Sequence, residues 1–183
     1  MIFNQFFKMK KIFNTKNITI CATLASIMVV LSLFSYFLSN ITGKSIFQIS
    51  DIVYLSMFVT TINPLVLIFS SCIAGVLIDL YMGGFIFIPF TIIIKILIGV
   101  IVYFLNKKIK IFFSIPIAYL CIYLYVIYVL VLYDKSSAVV ELITDSIQYL
   151  VTVSFSLLII GSKNWKEYSK YKKNNIKKTR IKS

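Results

Sequence analysis

Five stretches of this chain approach or exceed the length of a membrane-crossing helix with almost no charge in them: residues 17–43, 52–78, 80–106 (interrupted by Lys95 alone), 111–133 and 146–162. About 20 apolar residues in a helix cross a hydrocarbon layer roughly 30 Å thick, and there each backbone N–H and C=O must be bonded within its own segment. Runs of this length, repeated this often, point to one fold class, an all-α integral membrane protein. With 183 residues, 60% of them hydrophobic, the runs take up most of the chain and leave no room for a soluble catalytic module.

Asn63-Pro64 lies in the middle of the 52–78 run. Proline suits the first turn of a helix and disfavours helix in the residue before it, so this run reads as two helices. Charge then decides between five crossings and six. Lys8, Lys10, Lys11 and Lys16 precede the first helix, Lys107, Lys108 and Lys110 lie between the fourth and fifth, and a lysine-rich tail from Lys163 to Lys182 ends the chain. Basic clusters stay on the cytoplasmic side. Six helices put all three clusters there and leave only Lys44 and Lys135 in outer loops, whereas five would place the chain ends on opposite sides.

The expectation is therefore a six-transmembrane-helix bundle with N- and C-termini cytoplasmic. A basic N-terminus (1–16) and a basic, solvated tail (163–183) flank a membrane domain at 17–162. Its helices fall near 17–38, 51–62, 64–82, 87–105, 111–133 and 138–160. The second is too short to span unaided, so it should tilt, lengthen through its loop or shelter among its neighbours. That irregularity points to a cavity.

Several functions drop out. The net charge of +13 sits at the termini and one loop, as beside an anionic leaflet, so a lipid bilayer is the expected partner and nucleic acid is not. Histidine is absent, which removes histidine-dependent membrane hydrolases and the usual histidine-ligated metal centres. Cys21, Cys72 and Cys121 fall in separate apolar stretches without paired spacing and read as small packing residues. No cofactor and no catalysis are expected. The 17–43 run follows lysines, but with no small-residue cleavage site it reads as a retained first helix.

Within this apolar chain Lys95 stands out. Placing a cation at the centre of a membrane helix costs roughly 2.5–3.5 kcal/mol on insertion scales, so it should meet a partner, a cavity or a substrate. Apart from Glu167 in the tail, every acidic residue belongs to the outer half of the expected topology: Asp51, Asp79, Asp134, Glu141 and Asp145. On the sixth helix Glu141, Asp145, Gln148 and Thr152 share one face, a stripe that should line the bundle interior. Thr91 and Lys95 are one turn apart on the fourth, with Lys95 near the depth of Asp145. Two readings follow for Lys95: contact with a ligand, or an ion pair with Asp79 or Asp145. Glu141 and Asp134 read as loop-proximal and hydrated, and the tyrosines as packing.

The chain resembles the substrate-binding S components of energy-coupling factor (ECF) transporters, small six-helix proteins that capture vitamins. Ser50-Asp51-Ile52 is similar to the family's Gly/Ser-Asp opening of helix two, and Asn63-Pro64-Leu65 to its Gly-Pro-Leu turn. Ala74-Gly75-Val76-Leu77-Ile78-Asp79-Leu80 followed by Gly83-Gly84 looks like its Ala/Gly-rich end of helix three. Pro89-Phe90-Thr91-Ile92-Ile93-Ile94-Lys95 is similar to the Pro-x-Thr-x-x-x-Lys opening of helix four in the riboflavin and hydroxymethylpyrimidine-like branch.

This resemblance implies capture of a micronutrient at the outer face of the cell membrane, beneath loops 39–50, 81–86 and 134–137. Transport would require a transmembrane coupling protein (T component) and two cytoplasmic ATPases. The resemblance carries Asp51, Asp79, Thr91 and Lys95 over as motif positions; Asp145 and Gln148 are added from the helix-six stripe. The family's helix-one Ala-x-x-x-Ala surface, which meets the coupling protein, has its nearest matches in Ala22 with Ser26 and Cys21 with Ala25, pairs that are equally ordinary in helix packing. No phosphate-binding loop is present, so ATP would be handled by another subunit.

A structural membrane protein, such as the small multispanning subunit of a wall-elongation complex, would share the length, helix count and basic ends. It gives less reason for a buried Lys95 and an inward polar stripe. As to ligand, five outer acids favour a cation, whereas Lys95 favours an acceptor-rich group such as a flavin carbonyl, a pyrimidine or a carboxylate. The sequence leans to a neutral heterocycle.

Overall fold

The computed structural model describes residues 14–42 and 48–180. Lys8, Lys10, Lys11, Lys44 and Lys182 lie outside them, as do residues 43–47 of the expected 39–50 loop, and the side chains of the tail likewise. All the regular structure of the described residues is helical: α1 (Thr15–Thr42), α2 (Ile49–Ser56, ending in a 3-10 turn at Met57–Val59), α3 (Pro64–Tyr81), α4 (Ile88–Leu105), α5 (Ile111–Leu132) and α6 (Lys135–Arg180). All but α2 are long and apolar enough to cross a membrane.

Local chemistry sets the boundaries. Asn63 caps α3, its side-chain oxygen accepting from the Leu65 N–H at 3.0 Å with Pro64 in the first turn. At the other end Gly83 adopts φ +76°, and the Gly84 N–H reaches back to the Asp79 carbonyl at 2.8 Å. This is a Schellman stop, open at that φ to glycine at little cost, and it turns the chain directly into α4. Asp134 caps α6, accepting from the Ser137 N–H at 2.8 Å; the Ser137 hydroxyl and N–H together hold its carboxyl below the usual aspartate range. Pro116 lies inside α5, and the helix tightens to 3-10 at Leu120–Tyr123. The Pro116 carbonyl accepts a hydrogen bond from the Tyr149 hydroxyl at 3.1 Å, which ties α6 to α5 beside the proline.

Cross-contacts fix the directions of the helices. α1 and α3 run parallel, since Cys21 meets Ser70 near their starts and Tyr36 meets Tyr81 near their ends. α4 folds back along α3, with Cys72 beside Ile92. α5 returns along α4, where Tyr125 meets Thr91 and Tyr128 stacks on Phe90. α6 runs back along α5, pairing Tyr149 with Pro116 and Ser146 with Tyr123. The start of α1 and the membrane-exit end of α6 therefore share one face of the bundle with Lys107, Lys108 and Lys110. Because α1 and α3 are parallel, α2 must carry the chain back between them. Six helices with both ends on one side follow, and a five-crossing path does not.

Lipid is as apolar as leucine, so burial alone does not hold such helices together; close packing of small residues does. Between α1 and α3 the buried residues include Ala25, Ser32, Ser35, Ser70, Ser71 and Ala74. A Cβ on Gly75 would meet the Thr91 methyl at 2.7 Å, and one on Gly99 would collide with Ile68 and the Tyr54 hydroxyl. Of the small pairs on α1, Ala25 is buried and Cys21 touches Ser70, while Ala22 and Ser26 are exposed. The Cys21 and Ala25 pair thus packs within the bundle, and the Ala22 and Ser26 pair faces outward.

Candidate binding cavity

The short helix α2 creates the site. Its Ile49 N–H donates to the Ser35 hydroxyl at 3.4 Å, so α2 begins level with Ser35, seven residues or about 10 Å below the end of α1. From there its α-helical and 3-10 turns rise about 18 Å, well short of a 30 Å hydrocarbon layer. A helix start at that depth carries its first-turn carboxylate into the bundle. Asp51 is 3% exposed and Lys95, reaching it from α4, 4%; the two form an ion pair. Asp51 also favours the positive end of the α2 dipole.

The pair is embedded in a network. The Tyr119 hydroxyl donates to Asp51 Oδ2 at 2.8 Å and accepts from Gln148 Nε2 at 3.1 Å, while Gln48 Oε1 accepts from Lys95 Nζ at 3.3 Å. The Tyr54 hydroxyl donates to the Lys95 carbonyl at 2.9 Å. Nearby, the Tyr125 hydroxyl donates to Thr91 Oγ1 at 2.8 Å. Four helices, α2, α4, α5 and α6, are tied here, in a low-dielectric interior where a fully bonded network is rigid and a half-bonded one costly.

Above this floor lies a cavity of about 350 Å³, at the low end of the range for small-molecule sites. α4 and α6 face each other across it, with Ile122 and Tyr125 of α5 forming the back wall. All six residues expected to bind a substrate, Lys95, Asp79, Asp51, Thr91, Asp145 and Gln148, line this one cavity. The α6 stripe is turned inward: Asp145, Gln148 and Thr152 are buried, and Glu141 lines the cavity rather than standing in a hydrated loop.

The expected partnership of Lys95 with Asp79 or Asp145 is corrected: Lys95 pairs with Asp51. The reason is the depth at which α2 begins, which lowers Asp51 from a loop-proximal position to the level of the lysine. Asp79 Oδ2 and Asp145 Oδ2 are both buried with no hydrogen-bond partner among the described residues. The tyrosines were also under-read, since Tyr54, Tyr119 and Tyr125 join the polar network. Twelve tyrosines spread along the chain offer no signal that separates these three. Gln48 was missed because it precedes a helix whose depth the sequence does not reveal. No group of three or more Cys, Asp or Glu side chains suited to a metal occurs among the described residues.

Comparison with family models, curated proteins and solved structures returns no match.

Proposed function

We propose that this chain is the substrate-binding S component of an ECF-type importer in the cell membrane. It captures a water-soluble vitamin or related micronutrient, while a T component and two cytoplasmic ATPases drive uptake. One observation carries the reading: an otherwise apolar bundle maintains a 350 Å³ cavity whose lining includes four acids, two threonines and two glutamines. Buried ionisable groups in a membrane are costly and mark solute or ion paths, and a scaffold has no use for them.

The positive-inside rule assigns Lys16 and the Lys107 to Lys110 loop to the cytoplasm, so the cavity belongs to the outer half. Its lining descends from the start of α4 (Phe87) and the early turns of α6 (Glu141) to the Asp51 and Lys95 floor, on the side where a solute would arrive. The chain performs no chemistry on the solute. The outward Ala22 and Ser26 pair offers the close-packing surface for the coupling protein.

Native mass spectrometry of the purified protein tests the reading directly. A small solute of fixed mass should co-purify and be lost on mild unfolding. A bare chain, together with no loss of nutrient uptake on deletion, would return the protein to a structural role.

A further inference from the structure

Given solute capture, on which this step rests, the charge of the solute can be read from the cavity. Lys95 is the one base among the described residues of the lining, and its charge is already met by Asp51. It has no free positive charge for a carboxylate or phosphate. The walls are acidic instead. Asp79 on α3 and Glu141 and Asp145 on α6 line the same space, and none of them has an ion-pair partner among the described residues.

Asp145 decides the matter. It is 3% exposed, it lines the cavity, and its Oδ2 has no hydrogen-bond partner among the described residues. Asp79, half-buried, lines the cavity too, and its Oδ2 likewise has no hydrogen-bond partner among the described residues. A carboxylate oxygen held away from water without a donor is among the costliest arrangements a protein can keep. Two such oxygens from different helices, on residues that line one void of ligand size, describe the complement of a molecule that brings N–H donors and positive charge. Phe87 and Tyr125 add aromatic wall beside them, suited to a flat or cationic group.

We propose that the cavity takes an organic cation, an amine, amidine or cationic heteroaromatic, whose charge is held between Asp145 and Asp79 while the Asp51 and Lys95 pair forms a neutral floor. This replaces the neutral heterocycle favoured by sequence, a choice that rested on a lysine free to meet the ligand.

Three probes of nearly equal shape separate the possibilities: benzamidinium, benzamide and benzoate, titrated at neutral pH into the full-length protein in lipid nanodiscs with heat release and thermal shift as readouts. Benzamidinium should bind at least about tenfold more tightly than the other two, and Asp145→Asn should remove that preference, whereas Asp145→Glu should retain it and Asp134→Asn, outside the cavity, should leave it unchanged. Equal or tighter binding of benzamide or benzoate, or a preference that survives Asp145→Asn, overturns the cation while leaving solute capture standing. If the purified protein carries a solute, its charge decides in the same way. No probe bound and no solute carried would overturn both readings together.

Discussion

Asp51 and Asp145 are each 3% exposed, lie in the same cavity and differ in nearly everything else. Asp51 has an ion pair to Lys95 and a hydrogen bond from Tyr119; Asp145 has an oxygen with no donor among the described residues. The first arrangement is complete and binds helices to one another. The second is incomplete, and in the proposed reading the solute supplies the missing donor. Equal burial therefore hides a difference in polar satisfaction, which separates the two carboxyls.

The comparison is most sharply tested at Lys95. Removing it leaves Asp51 buried without its cation, so Lys95→Ala should cost about 3–5 kcal/mol, read as a lowered thermal midpoint in detergent. The pair Lys95→Met with Asp51→Asn should recover most of the loss; failure to recover would mean that Lys95 contributes more than neutralisation. Next in size is the packing beside this network. Gly99→Val drives methyl groups against Tyr54 and Ile68 and should cost about 1–3 kcal/mol, with Ala25→Leu similar at the α1 contact.

Asp145→Asn should show no such loss. Replacing an unpartnered carboxyl by an uncharged amide removes no contact, so the midpoint should hold or rise, by up to about 1 kcal/mol in stability, and a loss comparable to that of Lys95→Ala would show Asp145 to be structural after all. The smallest effects belong to the exposed positions. Ala22→Leu should leave stability unchanged while lowering the yield of complex with a coupling subunit. Asp134→Ala should lower the midpoint slightly at neutral pH by uncapping α6. Its folded carboxyl lies below the ordinary value, so its contribution is present above the unfolded aspartate range near about 3.9 and fades as the pH falls through the depressed folded value. A difference between Asp134→Ala and the parent chain that grew on acidification would contradict this sign.

Much of this was written in the primary structure. The charge-free runs, Asn63-Pro64 and Gly83-Gly84 mark helices and their ends by local rules, and the spacing of Glu141, Asp145 and Gln148 puts them on one face. The six expected binding residues line one cavity for the same reason: a polar residue in a lipid-facing position is so costly that polarity itself predicts an inward direction. What the spacing did not disclose is which polar groups meet. Lys95 found Asp51, and Tyr119 and Tyr125 became part of the network, through contacts between segments distant in the chain.

The sequence by itself determined an all-α membrane chain, the helix boundaries at Asn63-Pro64 and Gly83-Gly84 and the inward stripe, because each depends on neighbours within a turn or on transfer from water to lipid. The end of α6 near 160 is corrected, since the helix continues to Arg180. Only the tertiary structure decided the partner of Lys95 and the orphaning of Asp79 and Asp145. Those depend on how deep α2 begins, and that depth is set by its packing among α1, α4 and α6, which no periodicity along the chain records.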